Sequence, residues 1–172
     1  MRNSNAVLAV AAIITGLSSG ACGTETERIA GPDVMMARVL SAVTPSVTGS
    51  GQYVLDGMLR TFAFTVRTMP DGSVRGRFSG ATHQPLISWS GRLDCLVVDG
   101  NTAWIGGVYE HATNPSLVGV GFAFKAVDNG EGASADPDYM SRAMRGGTDC
   151  NTRPEPNPLY FYEIFGNIQI HQ

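Results

Sequence analysis

Apolar and polar residues alternate with a period of two from about residue 46 onward. Phe62, Phe64 and Val66 alternate with polar or small neighbours, and a second alternating run begins at Val74. Successive side chains of a β-strand point to opposite faces, so this period places the apolar residues on one buried face. A helix would instead repeat its apolar residues every three or four positions. The pattern therefore predicts strands rather than helices.

Turn residues separate these runs. Met69-Pro70-Asp71-Gly72 follows the first run, and Asp99-Gly100-Asn101 follows a longer one. Proline presets φ for a turn and glycine accepts a positive φ, so both segments predict hairpins. Further strands are predicted over residues 86–98, 102–110, 117–127, 139–144, 159–163 and 167–171. Residues 46–172 are therefore predicted to form an all-β domain, a single antiparallel β-sandwich or small barrel of about 8 strands.

The predicted strand over residues 86–98 carries an alternating apolar set. Its predicted inward face is Ile87, Trp89, Gly91, Leu93, Cys95 and Val97. Glycines inside strands weaken pairing unless a bulge, a barrel corner or a packed aromatic ring needs the space. The tryptophans and phenylalanines are the predicted fillers of that space. Of the later strand over residues 117–127, Val118, Val120, Phe122 and Phe124 are predicted to point inward.

The N-terminal region has the organisation of an export signal. Residues 6–17 carry no charge, follow Arg2, and lead through Ser19, Gly20 and Ala21 to Cys22. The apolar stretch is shorter than the roughly 20 residues of a membrane span. Residues 1–21 are therefore predicted to be a signal peptide, followed by a flexible tether over residues 22–45 that includes a short helix at 34–43.

Two processing outcomes remain open for Cys22. Gly20-Ala21-Cys22 matches the end of a bacterial lipobox, which predicts that Cys22 is lipidated and anchors the protein in the membrane of the cell envelope. Ser19, however, stands where that motif has a large aliphatic residue. The alternative is ordinary cleavage near Ala21 and a secreted protein.

The two remaining cysteines are predicted to form a disulfide. Cys95 and Cys150 are an even pair in a chain that carries an export signal, and disulfides persist in oxidising compartments. The alternative is a buried thiol at Cys95 and an exposed one at Cys150.

The charge balance argues against nucleic acid as a partner. The chain has 12 basic and 15 acidic residues, a formal net charge of −3, and Lys125 is its only lysine. Binding to a phosphate backbone needs clustered lysine and arginine. The arginines here are scattered, so no nucleic-acid interface is predicted.

One loop has a composition suited to calcium. Its oxygen-bearing side chains follow an apolar strand, and the candidate ligands are Asp128, Asn129, Glu131, Asp136 and Asp138. Calcium takes six to eight oxygen ligands from flexible loops. The spacing does not match an EF-hand, and a solvated loop in which these side chains cap turns is the alternative. No other cofactor is predicted.

Catalytic motifs are absent from the sequence. The histidines are His83, His111 and His171, and Glu110-His111 is the only local pair of acid and base. No nucleophile elbow, zinc-binding helix or phosphate loop occurs, so no catalytic residue is predicted. A noncatalytic binding or structural role is expected. The alternatives are a small-ligand carrier barrel, a hydrolase or lyase using His111, and a sugar-stacking role for the tryptophans.

A set of short phrases recurs through the domain. They include Gly49-Ser50-Gly51-Gln52-Tyr53, Asp71-Gly72-Ser73-Val74-Arg75-Gly76, Gly100-Asn101-Thr102-Ala103, Val127-Asp128-Asn129-Gly130-Glu131-Gly132 and Gly166-Asn167-Ile168-Gln169-Ile170. In this order they resemble a family of uncharacterised, exported bacterial β-domain proteins, similar to the small β-domains that follow choice-of-anchor modules. The resemblance covers roughly residues 46–172. It implies an extracellular β-fold and transfers no functional residue.

Overall fold

A computed structural model describes residues 44–132, 134–147 and 149–172. This part of the chain contains ten strands and three short 3-10 helices. The strands are β1 (Ser46–Leu55), β2 (Met58–Thr68), β3 (Val74–His83), β4 (Leu86–Asp99), β5 (Thr102–Ala112), β6 (Gly121–Val127), β7 (Tyr139–Ser141), β8 (Met144–Arg145), β9 (Phe161–Glu163) and β10 (Phe165–His171). The 3-10 helices are Pro115–Leu117, Cys150–Thr152 and Pro158–Tyr160. The predicted all-β class is confirmed, and no described helix has the length and hydropathy to cross a membrane.

The strands form one antiparallel sheet that nearly closes into a barrel. Its order is β10-β1-β2-β3-β4-β5-β6-β7-β9, and β8 pairs with β6. The two end strands, β9 and β10, follow each other in the chain and are separated by Ile164 alone. Because one chain segment pairs with β7 and then with β1, its covalent continuity brings the two ends of the sheet together.

Aromatic and aliphatic side chains fill the inside of the barrel. The Phe122 ring lies 4.5 Å from the rings of both Phe78 and Tyr109, measured between centroids. The buried core set is Val47, Tyr53, Leu55, Phe62, Phe64, Val66, Leu93, Ala103, Ile105, Tyr109, Phe122, Phe124, Ala126, Met140, Ile164 and Ile168. The alternation of β2 and the inward position of Phe122 and Phe124 are thereby confirmed.

The two predicted hairpin turns also form. Gly72 has a φ of +81°, and its N–H donates to the carbonyl of Met69 at 2.9 Å. Gly100, between β4 and β5, has a φ of +58°. Glycine adopts these left-handed conformations without steric cost, which explains its position in each turn.

The predicted inward face of β4 is wrong after Leu93. A β-bulge between Leu93 and Cys95 leaves Asp94 without a partner on β5. A bulge inserts one residue into a strand and so reverses the faces that follow it. Leu96 and Val98 consequently pack against the core, while Cys95 pairs with Gly106 on the outer face.

One strand boundary and the number of strands also differ from the prediction. The strand predicted over residues 117–127 begins at Gly121, because Pro115–Leu117 forms a 3-10 helix, and Val118 is 48% exposed. The strands number ten rather than about eight, since the segment after β6 breaks into the short strands β7, β8 and β9.

Gly80 illustrates why glycine occurs inside a strand here. The Trp89 ring on β4 lies where a side chain at Gly80 would stand, and a Cβ there would lie 2.5 Å from the ring. Such a distance is far below van der Waals contact, so only glycine accommodates the ring. The Trp89 ring thus fills the space beside one strand glycine, whereas Gly76, Gly91 and Gly107 lie against the backbone of a neighbouring strand.

Candidate functional site

The candidate lipidation residue lies outside the described part of the chain. Residues 1–43, which include Cys22, the signal peptide and nearly all of the tether, are not described. Export and lipidation therefore stay predictions.

Cys95 and Cys150 are bonded, as predicted. Their Cα atoms are 5.9 Å apart and the bond joins positions 55 residues apart in the chain. The Cys150 N–H also donates to the Cys95 sulfur at 3.0 Å. The disulfide fixes the Cys150–Thr152 helix against the outer face of β4 and β5.

Arg153, which follows the helix fixed by the disulfide, helps to cover Trp104. Trp104 is 6% exposed, and two cations contact its ring, with Lys125 Nζ 5.2 Å and the Arg153 guanidinium carbon 5.4 Å from the ring centroid. Trp89 is half-buried on the inner face, over Gly80. Trp104 is therefore too buried to offer the open ring face that sugar stacking requires, whereas Trp89 lines a surface cavity.

The acidic loop closes the barrel. Asp138 is buried, and its carboxylate accepts the N–H of Ile168 at 2.7 Å and that of Asn129 at 2.8 Å. The Asp128 carboxylate accepts the Ile170 N–H at 2.9 Å and the Gly130 N–H at 2.8 Å. On the edge of β10 that does not pair with β1, two carboxylates thus accept backbone N–H groups. These hydrogen bonds join the loop to the last strand.

The other candidate calcium ligands have separate partners. The Glu131 carboxylate accepts the side-chain amides of Asn167 and Gln169, and these bonds lower the pKa of Glu131. The side-chain amide of Asn129 donates to the carbonyl of Pro137, and Asp136 is exposed. Across the described residues, no group of three or more histidine, cysteine, aspartate or glutamate side chains is placed to hold a metal ion. Calcium binding therefore stays a hypothesis based on composition.

A concave surface lies on the outer face of the sheet. Two adjoining cavities of about 580 Å³ and 710 Å³ share the residues Ala63, Ser79, Ser90 and His111. Together they make one groove, which we call the outer groove. Its central row crosses six strands through residues that are direct register partners: Asn167, Ser50, Ala63, Ser79, Ser90 and His111.

The register rows that cross the outer groove consist mostly of short side chains, and the lining also includes the aromatic residues Phe62, Phe64, Phe78 and Trp89. Thr61, Ala81 and Ser88 form a second row of register partners, and Thr48 pairs with Thr65 in a third. Such side chains leave the backbone close to the surface and offer hydroxyl groups as donors and acceptors. The sequence interpretation missed this site, since its residues become neighbours only through strand pairing.

His111 lies at one end of the outer groove, beside a serine and a carboxylate. Ser90 is its register partner on β4, and Glu110 is displaced by a bulge in the pairing of β4 with β5. Glu110 instead lies 3.9 Å from the Arg77 guanidinium. Among the described residues, no hydrogen bond links His111 to Ser90 or Glu110.

The inside of the barrel offers little space. The internal cavity has a volume of about 40 Å³ and is lined by core aromatic residues such as Phe62, Phe122 and Phe124. Ligand pockets of small-molecule carriers are on the order of 300–1,000 Å³. The geometry therefore argues against the carrier alternative.

One end of the barrel holds three tyrosines and an arginine. Tyr53 stacks on Tyr162 with ring centroids 5.3 Å apart, and its register partner is Arg60. Burial raises the pKa of Tyr53, Tyr109 and Tyr162, and nearby arginines partly offset each rise. Arg60 Nε and the Tyr162 hydroxyl are buried and have no hydrogen-bond partner among the described residues.

Comparison with known proteins adds no relative to these observations. No protein family, no curated protein and no solved structure matched the chain. What defines its class is therefore the fold and the site: a nearly closed antiparallel barrel with a filled interior and a groove on its outer face.

Proposed function

We propose that this chain is an exported, lipid-anchored β-domain of the bacterial cell envelope that binds an extended polar polymer in the outer groove, without catalysis. The observation that carries the binding role is the pair of adjoining cavities that share four residues across the outer face. A filled interior leaves the surface as the place for recognition.

The shape of the outer groove favours an extended ligand. Its central row runs across six neighbouring strands, which spans about 24 Å at the usual spacing between strands. Short side chains along the floor would let a polymer approach the sheet closely. The amide of Asn167 at one end and the imidazole of His111 at the other end supply further hydrogen-bonding groups.

Hydroxyl-rich cell-wall glycan is the ligand we propose to test first. The groove offers hydroxyl, amide and imidazole groups, which match the donors and acceptors of sugars. Only Arg77, Glu110 and His111 among its lining residues carry ionisable side chains, and the first two lie close to each other. A neutral polymer suits such a surface better than a strongly charged one.

Filling the outer groove should weaken binding of the polymer strongly. Ser79→Trp places a large ring at the centre of the floor, where both cavities meet. We expect the amount of full-length protein that sediments with purified cell-wall polysaccharide to fall by about tenfold, as loss of complementarity in a well-formed contact does.

Arg75→Trp is the matched control, since Arg75 lies on the same strand and is exposed but lines neither cavity. This variant should sediment like the unmodified protein. Equal sedimentation of the Ser79→Trp protein, or no sedimentation of the unmodified protein, would contradict the proposed role of the groove.

The anchor is tested separately. Cys22→Ser removes the acceptor of the lipid, and stable anchoring depends on burial of acyl chains at about 0.8 kcal/mol for each methylene. We expect the variant to move from the membrane fraction to the soluble exported fraction of a bacterium that processes lipoproteins. A Cys95→Ala/Cys150→Ala protein retains Cys22 and should stay with the membrane. Retention of the Cys22→Ser protein would rule out the anchor.

A further inference from the structure

A third cavity lies near the tyrosine end of the barrel, away from the outer groove. It has a volume of about 320 Å³, and its lining includes Arg142, Arg145, Asn157, Tyr160, Met144 and Pro156. We call it the arginine cavity. None of these residues lines the outer groove.

The charge of the arginine cavity is not neutralised by the protein. Within the described residues, carboxylates lie within 4.0 Å of Arg77, Arg92, Lys125 and Arg153 only. Arg142 and Arg145, which are both exposed, therefore line one cavity without an acidic partner among the described residues, in a chain whose net charge is −3. Two like charges held at one cavity repel each other, and a bound anion would remove that cost.

The position of Arg142 is fixed before any ligand binds. Its N–H donates to the carbonyl of Tyr160 at 2.7 Å, and its own carbonyl accepts the Ser141 hydroxyl at 3.1 Å. The Arg142 guanidinium also lies over the Tyr160 ring, 5.4 Å from its centroid. The two hydrogen bonds fix the main chain at Arg142, and contact with the Tyr160 ring restricts the exposed guanidinium, which lowers the conformational entropy lost when it binds an anion.

A neighbouring feature supports a polar ligand at this end of the barrel. Tyr162 does not line the cavity, but the positive charges of Arg142 and Arg60 oppose the rise in its pKa, and its buried hydroxyl has no hydrogen-bond partner among the described residues. Buried polar groups normally have hydrogen-bond partners, so unpaired ones are found where a water or a ligand completes the site.

We propose that the arginine cavity binds the phosphate group of a phosphate ester. Two guanidinium forks and the Asn157 amide offer more donors than the two oxygens of a carboxylate use, whereas a phosphate presents at least three oxygens around one centre. The apolar side chains of Met144 and Pro156, with the Tyr160 ring, would contact the esterified group. This site is independent of the outer groove.

Phosphate binding is measured on the full-length protein by calorimetry with inorganic phosphate and glycerol phosphate. We expect Arg142→Gln and Arg145→Gln each to weaken binding by about tenfold, which is the loss of one charge-assisted pair. Arg145→Lys keeps the positive charge but lacks the paired donors of a guanidinium, and it should weaken binding less than Arg145→Gln does. Arg75→Gln, an exposed arginine outside the cavity, should have no effect.

Vesicles of phosphatidylglycerol and of phosphatidylcholine identify the source of the phosphate. Binding to phosphatidylglycerol vesicles that depends on Arg142 assigns the site to a lipid headgroup, and binding of the soluble esters alone assigns it to a free metabolite. Either result supports the proposal. Equal losses for Arg75→Gln and Arg142→Gln, or no binding of any of these probes, would overturn it. Thermal melting of each variant shows whether it remains folded.

Discussion

Replacing Cys95 and Cys150 together by alanine should lower the free energy of unfolding by about 4 kcal/mol, the chain-entropy value for a loop of 55 residues. The disulfide limits the conformations of the unfolded chain, and its removal restores them. It also holds the Cys150–Thr152 helix against the sheet, so the native state loses a fixed contact. Urea denaturation with linear extrapolation measures the change.

Cys22→Ala is the control for loss of a thiol that takes no part in the bond. It should leave the free energy of unfolding unchanged. Reduction of the unmodified protein should reproduce the effect of the double replacement. A loss below about 1 kcal/mol in the double variant would show that the bond contributes little, as happens when the unfolded state retains structure.

Asp138→Ala should lower the free energy of unfolding by about 3–5 kcal/mol, because two backbone donors lose a buried, charged acceptor. One of these donors, the Ile168 N–H, belongs to the last strand, and Ile168 itself is fully buried in the core. Loss of the carboxylate should therefore remove two hydrogen bonds and weaken the attachment of the acidic loop to β10, the contact that we call the seam.

Asp136→Ala is the matched control, since Asp136 lies in the same loop but is exposed. Its effect should stay within about 0.5 kcal/mol, the usual range for surface substitutions. Asp138→Asn keeps one acceptor oxygen and should fall between the two. Hydrogen exchange should show faster exchange of the Ile168 amide in Asp138→Ala than in Asp136→Ala, and equal rates would contradict the proposed seam.

The acidic loop shows that sequence composition does not reveal every partner of a side chain. The sequence predicts that its carboxylates either bind calcium or cap turns in a solvated loop. In the structure Asp128 and Asp138 accept N–H groups of a strand about 30 to 40 residues further along the chain. Local sequence carries no signal for such distant donors, because they are fixed by how the barrel closes.

The outer groove escaped prediction for a related reason. Each of its serines and threonines looks like an ordinary outward-facing residue of a strand. Ser79 and Ser90 become neighbours only because β3 and β4 pair in one register, and the row continues to His111 only through the bulge that displaces Glu110. The bulge at Asp94 likewise reverses the faces of Cys95 and Leu96, and no glycine or proline at this position of the strand indicates a bulge in the sequence.

The strand class, the two hairpin turns, the aromatic core and the pairing of Cys95 with Cys150 could all be predicted from the amino-acid sequence. These follow from side-chain alternation, from the φ preferences of proline and glycine, and from the number of cysteines, all of which are local or compositional. The closure of the barrel, the role of Asp138, and the positions of the outer groove and the arginine cavity required the folded structure. Each of these depends on register and on contacts between residues far apart in the chain, where pairing rather than local preference sets which side chains meet.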